Sequence, residues 1–312
     1  MASYQVLNSV ITNKKRPIVG RFPGINPGTL LRVDPSLVSG DFTGVPDNGA
    51  YLPNAASVQA AALLGIADDN SLKPAISAAR DGENAFSVAR TPKGGLELLP
   101  SQVNQTSNSN YFVIRYPTAL RQAIFDLLPG DGSPSSHGFA ISIMWAKIRS
   151  GSEGSGAPQS NSHIESSALG VTDRSYFAQS AGQGSMVGAS VGSYISPGAG
   201  AFGVPALTMI GFNTWTGTKP GAATGLLAAL FGVGNFDGWV SSANRNKNHG
   251  YVVYNIQLDD LYYNRLANDG EGGTFAEEFL AHRNQRLEEF NKAFAASGKY
   301  AGDTIINPAT FP

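Results

Sequence analysis

The residues that could do chemistry are few and scattered. Four histidines, His137, His163, His249 and His282, stand singly, and none has the HxH or HExxH spacing that brings two imidazoles to one metal. No bound transition metal is expected. The chain has no cysteine, which removes thiolate ligands, a cysteine nucleophile and disulfides together. Asp259-Asp260 and Asp68-Asp69 are adjacent carboxylates. On a strand such neighbours point to opposite faces, so neither pair can converge on one reacting atom, as the paired carboxylates of a glycosidase must. For Asp259 and Asp260 a calcium role stands beside a structural one at a turn or interface. Gly198 to Gly203 has the GxGxxG spacing that brings backbone close to a pyrophosphate, but Pro197 precedes it and Pro205 opens an extended apolar run. That motif needs a strand before it and a helix after, so the segment reads as a glycine-rich loop. The expectation is a non-enzymatic chain with no cofactor and no metal.

Recognition chemistry is better represented. Trp145 lies in the continuous apolar run FAISIMWAKI and is expected in the core. Trp239 sits in GNFDGWVSSANRNKNHG, where amides and cations follow the indole. An aromatic face with neighbouring hydrogen-bonding groups suits a sugar ring or a protein surface, so Trp239, Asn244, Arg245 and Asn246 are the candidate glycan- or partner-binding residues. The alternative is a plain surface loop.

The elements that must position these groups are mostly strands. Residues 94–102, 110–117, 137–148, 166–171, 175–179, 185–195, 205–215 and 251–263 are strand-like runs bounded by Gly, Pro and Asn. Many short strands so punctuated indicate a sandwich or barrel rather than βαβ units. Three helices interrupt them. Asn54 and Gly65 bracket an alanine-rich run, and Leu120, Ile124, Leu127 and Leu128 recur at helical spacing. The third, 275–296, opens on Thr274 three residues before Glu277, a capping-box spacing, and stops at Ser297-Gly298. Along it Phe275, Phe279, Leu280, Leu287, Phe290 and Phe294 form an apolar stripe, with Glu278, Arg283, Arg286, Glu288 and Glu289 expected on the opposite side. That stripe docks on the chain's own sandwich or on a neighbour. Residues 150–163 read as a polar loop without packing capacity.

Residues 1–50 carry Pro17, Pro23, Pro27, Pro35 and Pro46 among glycines. They read as an extended N-terminal arm that lies on its own domain or wraps an adjacent subunit. The organisation expected is therefore an arm (1–50), a β-sandwich (51–270) and a C-terminal helix with its tail (271–312). Composition narrows the function classes. Lys plus Arg number 22 and Asp plus Glu 23, a net charge of −1, so no electrostatic footprint for nucleic acid or a membrane surface is present. Charged residues are only 14% of the chain and glycines number 37 of 312, the profile of an ordered, turn-rich protein with a weakly charged surface. No apolar run approaches the ~18 residues that suggest a membrane helix, and residues 1–17 do not read as a signal peptide.

Two stretches, taken in order, resemble the concanavalin-like, laminin-G-like jelly rolls. The early part is Gly95-Leu96-Glu97-Leu98, then Tyr111-Phe112-Val113-Ile114, then the run from Gly138 to Lys147 with Trp145 inside it; the late part is Leu258-Asp259-Asp260-Leu261-Tyr262-Tyr263-Asn264-Arg265-Leu266. The resemblance spans about residues 94–266 and implies two packed antiparallel sheets that bind carbohydrate or protein and rarely catalyse. The closing GKYAGDTIINPATFP and the Gly/Ser/Asn-rich, cysteine-free style look similar to structural proteins of tailed bacteriophage particles. That likeness implies a virion component in a tail, appendage or decoration layer. Its expected partners are copies of itself, other virion proteins and a host surface glycan, with nucleic acid and membrane insertion excluded. A free lectin-like carbohydrate-binding module is the alternative, and a glycan-degrading enzyme on the same fold the third reading.

Overall fold

Apolar runs flanked by turn residues become strands, and the central ones are covered on both faces. The computed structural model describes residues 24–37, 50–78, 86–100, 109–129, 133–147, 159–165, 174–180, 183–187, 192–197, 203–214, 228–236, 239–240, 250–267 and 273–303. In chain order the strands are β1 (Thr29–Val33), β2 (Ala75–Ala78), β3 (Phe86–Arg90), β4 (Leu96–Pro100), β5 (Ser109–Arg115), β6 (Phe139–Lys147), β7 (Gln159–Glu165), β8 (Arg174–Ser180), β9 (Gln183–Val187), β10 (Gly192–Ile195), β11 (Pro205–Phe212), β12 (Ala228–Phe236), β13 (Trp239–Val240) and β14 (Tyr251–Asp260). The helices are α1 (Ser57–Leu64), α2 (Thr118–Leu127), α3 (Leu261–Ala267) and α4 (Phe275–Phe294), with short 3-10 turns at Pro35–Leu37 and Asp69–Leu72.

The architecture is an antiparallel β sandwich with helices at its margins. The larger sheet runs β10-β11-β6-β14-β4-β3, with β1 also on β14; the smaller runs β13-β12-β5-β2. A third sheet, β7-β8-β9, extends from alongside β12 toward β10, so it bridges the other two at one side. β14 is the keystone. One edge pairs with β6 along its length, while the other pairs first with β4 (Tyr251↔Leu98) and then with β1 (Val33↔Ile256, Thr29↔Asp259).

β6 shows why the sequence alternates only partly. Its Phe139, Ile141, Ile143 and Trp145 face the smaller sheet, where they meet Phe112 and Ile114 of β5, Ile76 of β2 and Phe231 of β12. Its Ala140, Met144 and Ala146 face outward, beneath α4. Both faces are dry, so both registers are apolar. Trp145 is core as expected, edge-on to Tyr251 at 6.1 Å.

The three expected helices form. Gly65 ends α1 in the left-handed conformation (φ +67°), a position an L side chain rarely adopts. Thr274 and Glu277 form the complete capping box of α4. Thr274→Ala is expected to cost about 1 kcal/mol, read from the shift of a chemical unfolding midpoint. α4 packs on the chain's own larger sheet: Phe279 fills the space above Gly192 and Gly211, and Phe290, Phe294 and Tyr300 close over Tyr254.

Four expectations need correction. Within the proposed arm, Thr29–Val33 is a strand of the larger sheet with Leu30, Leu31 and Val33 fully buried; Pro27 and Pro35 flank this strand rather than marking an extended tether. Of the polar stretch 150–163 expected as loop, 159–163 belongs to β7, paired with β8, while 150–158 lies outside the described residues. The late strand ends at Asp260, and Leu261–Ala267 turns into α3, because the Asp260 carboxylate accepts from the Tyr262 amide and caps a new helix. On α4, Arg286 is fully buried and Leu280, assigned to the apolar stripe, is 45% exposed.

Candidate functional site

The densest assembly of polar and titratable side chains among the described residues lies under α4. It starts from a bulge in β14: pairing with β6 shifts between Val253 and Asn255. Beyond the bulge Ile256 and Leu258 point into the sandwich, while Asn255, Gln257 and Asp259 point out toward the helix. Strand alternation thus lays three polar groups in a row on an otherwise apolar surface. α4 answers with His282, Arg286 and Glu289.

Arg286 is the hub. Its Nε donates to Ser142 Oγ of β6 at 3.1 Å, its Nη2 to Asn255 Oδ1 at 3.2 Å, and its Nη1 to Glu289 Oε2. Asp259, also fully buried, accepts from Thr29 Oγ1 at 2.5 Å and from Gln257 Nε2 at 3.0 and 3.1 Å, and His282 Nε2 stands 3.1 Å from its Oδ2 without hydrogen-bond alignment. Gln257 Oε1 in turn accepts from Arg32 of β1 at 2.9 Å. Burial alone pushes the Asp259 carboxyl up, yet His282, Arg286 and the Thr29 bond together outweigh it and hold the group below the ordinary carboxylate range. Arg32 is lowered, first by burial and then by the Arg286 cation, without being discharged.

A second cluster occupies the corner where β6 begins, β14 ends and α3 starts. His137 Nδ1 lies 2.6 Å from the buried Asp260 Oδ2, and its ring meets Tyr262 at 4.3 Å and Tyr263 at 5.5 Å. Here burial dominates, and Asp260 sits above its ordinary range despite the histidine. A His–Asp pair is the part of a general-base device that fixes a tautomer. The local contacts divert it to structure: Asp260 also caps α3, and the nearby Ser135 hydroxyl donates to Leu127 O and accepts from the His137 amide. Gly138 beside it has no room for a Cβ, which would overlap the Phe275 ring at the start of α4.

The residues expected to act divide accordingly. Asp259 and Asp260 do point to opposite faces, and each is tied to a histidine that the sequence presented as solitary. Trp239 is placed by its backbone alone, in β13, paired with Phe236 of β12. Its side chain, Asn244, Arg245 and Asn246 lie outside the described residues, as does His249, and His163 is placed by its backbone alone, in β7. Reading the helix as two-sided missed His282 and Arg286. The signal was there: Phe279, His282, Arg286 and Phe290 fall at i, i+3, i+7 and i+11, one continuous stripe.

No known family's sequence profile matches the chain, and no curated protein matches it by search. Solved structures give only faint likenesses. One is the xylanase 10B carbohydrate-binding and catalytic modules of Clostridium thermocellum with xylohexaose, at 9% identity over 74% of this chain and 28% of that one, TM-score 0.26. Another is Trypanosoma rangeli sialidase, at 9% identity over 79% of this chain and 33% of that one, TM-score 0.26. The same sialidase with sialic acid aligns at 10% identity over 79% and 33%, TM-score 0.26. The chain spans about a third or less of those proteins, and at this similarity neither a fold family nor an activity passes to it.

Proposed function

We propose that the chain is a non-enzymatic structural component of a bacteriophage virion, in a tail, appendage or decoration layer. It is built on a jelly-roll sandwich and assembles with copies of itself and with other virion proteins. The observation that carries the non-enzymatic part is where the chemistry-bearing side chains go. Asp259, Asp260, His137, His282 and Arg286 close on one another inside the scaffold, joining helix to sheet and strand to strand. A weakly charged, cysteine-free, glycine-rich chain and the order of lectin-like strands support the particle reading and the jelly roll. Contact with a host glycan, if made through Trp239 and the Asn244–Asn246 segment, is a second function of the same component.

Because β1 belongs to the sandwich, the segment to test in assembly is residues 1–23 rather than 1–50. Light scattering over a range of concentrations is expected to show a stable oligomer for the full chain. Removal of residues 1–23 should yield a monomer whose β-type circular dichroism is unchanged. A full chain that is monomeric throughout and binds a glycan in a Trp239-dependent way would replace this reading with the free carbohydrate-binding module. Turnover of a polysaccharide, lost on changing one carboxylate, would replace it with the enzyme.

A further inference from the structure

The layer that covers the outer face of the larger sheet is fastened by different physics from the sandwich beneath it. Between the two sheets the core is an aliphatic and aromatic cluster, from Phe112 and Phe231 on one side to Phe139, Trp145 and Ile256 on the other. Under α4 and its following turn the apolar contacts are interleaved with charge. Besides the Arg286–Glu289 and His282–Asp259 contacts, Lys299 binds Asp34 at 2.9 Å and Ser36 at 2.7 Å, and Asp303 accepts from the Lys93 amide at 3.0 Å. Arg265 of α3 holds Glu278 at 2.7 Å, Arg283 lies over the Tyr194 ring of β10, and β4 contributes the buried carboxyl of Glu97, which acts on Tyr254. β1 contributes Arg32. Tyr254 and Tyr300, whose rings meet tilted at 4.6 Å, complete the titratable set.

We propose that residues 275–303 form an acid-releasable strap. At neutral pH the strap seals the outer face of the larger sheet, and on acidification it lifts away while the two-sheet sandwich stays folded.

Charges of opposite sign are balanced across this one interface. At neutral pH the carboxylates of Asp34, Glu97, Asp259, Glu278, Glu289 and Asp303 face the cations of Arg32, Arg265, Arg286 and Lys299, with His282 among them. Acid protonates the Asp259 carboxylate and leaves the Arg286 guanidinium charged. The seam then holds the fully buried Arg286 cation without the Asp259 counter-charge, an arrangement poorly tolerated in a protein interior. Asp259 sets the direction. Its folded value lies below its unfolded one, so the stability it lends is present at neutral pH and is lost as pH falls through the folded value, below about pH 4. Asp260 has the opposite sign: the folded state prefers its protonated form, so acid does not loosen the His137 corner by that route. Release uncovers Met144, Leu207, Met209, Val252 and Tyr254, a contiguous apolar face.

Hydrogen exchange by mass spectrometry at pH 7, 5, 4 and 3, corrected for intrinsic exchange, separates the two layers. Peptides from α4 are expected to lose at least about tenfold more protection between pH 7 and pH 3 than those from β6 and β12. They should regain it on neutralisation. Asp259→Asn is expected to lower α4 protection already at pH 7 and to flatten its pH response; should that variant not fold, Glu289→Gln, at the 26% exposed rim of the seam, should give part of the same shift. Parallel loss of protection in α4, β6 and β12, or α4 protection that persists at pH 3, overturns the proposal.

Discussion

Arg286→Ala should lower the stability of the chain by about 3–5 kcal/mol, measured as the shift in a urea unfolding curve. The guanidinium is fully buried and satisfies acceptors on three elements at once, Ser142 of β6, Asn255 of β14 and Glu289 of its own helix. Truncation leaves Ser142 and Asn255 without that donor in a dry interface and removes the cation that helps hold the Asp259 charge. Glu289 can turn to water, so the loss is concentrated on the sheet side. Arg286→Met keeps much of the volume and removes the burden of burying a charge, so it should recover part of the deficit. Asp259→Asn combined with Arg286→Ala should cost less than the two apart, since each variant removes a charge the other was balancing. Additivity would show that the two side chains do not form one network.

Phe139→Ala should cost a comparable amount, about 3–5 kcal/mol, but with a different distribution. Phe139 has no exposed surface, begins β6 and packs on Phe212 at 5.6 Å within the core between the sheets. Its removal leaves a cavity that the surrounding strands, paired on both edges of β6, can close only in part. Hydrogen exchange in this variant should therefore rise in α4 and in both sheets together. In Arg286→Ala the rise should be greatest in α4. The contrast tests whether the sandwich and its outer layer are separate cooperative units.

The strands and helices that pack along one uniform face were legible in the sequence. The α4 boundaries follow from Thr274, Glu277 and the Ser297-Gly298 stop, and α1 ends where Gly65 says it should. β6 and β14 were recognisable as apolar runs. What escaped was anything decided by a distant partner. Thr29–Val33 is too short to stand out among prolines, and it is a strand because β14 offers an edge 230 residues later. Arg286 looks like a solvent-facing cation until the polar row Asn255-Gln257-Asp259 is placed opposite it. That row was itself readable as alternate polar residues in YVVYNIQLDD, a period-2 pattern running across a strand whose other face is core. The bulge before Asn255, invisible in composition, is what aims the row at the helix.

The pairing of β1 with the last strand of the sheet has a consequence for synthesis. Thr29 leaves the ribosome 230 residues before Asp259, its partner, which at about 5–20 residues per second is on the order of ten to fifty seconds. During that interval Leu30, Leu31 and Val33 have no native edge to join, and β6 lacks the neighbour it will have on one side. Completion of the larger sheet waits for the 250s, and the covering helix comes later still. A chain cut short anywhere before β14 would thus display unpaired strand edges to chaperones and proteases. Only a copy translated through β14 can pair them, so the topology itself discriminates against shorter fragments.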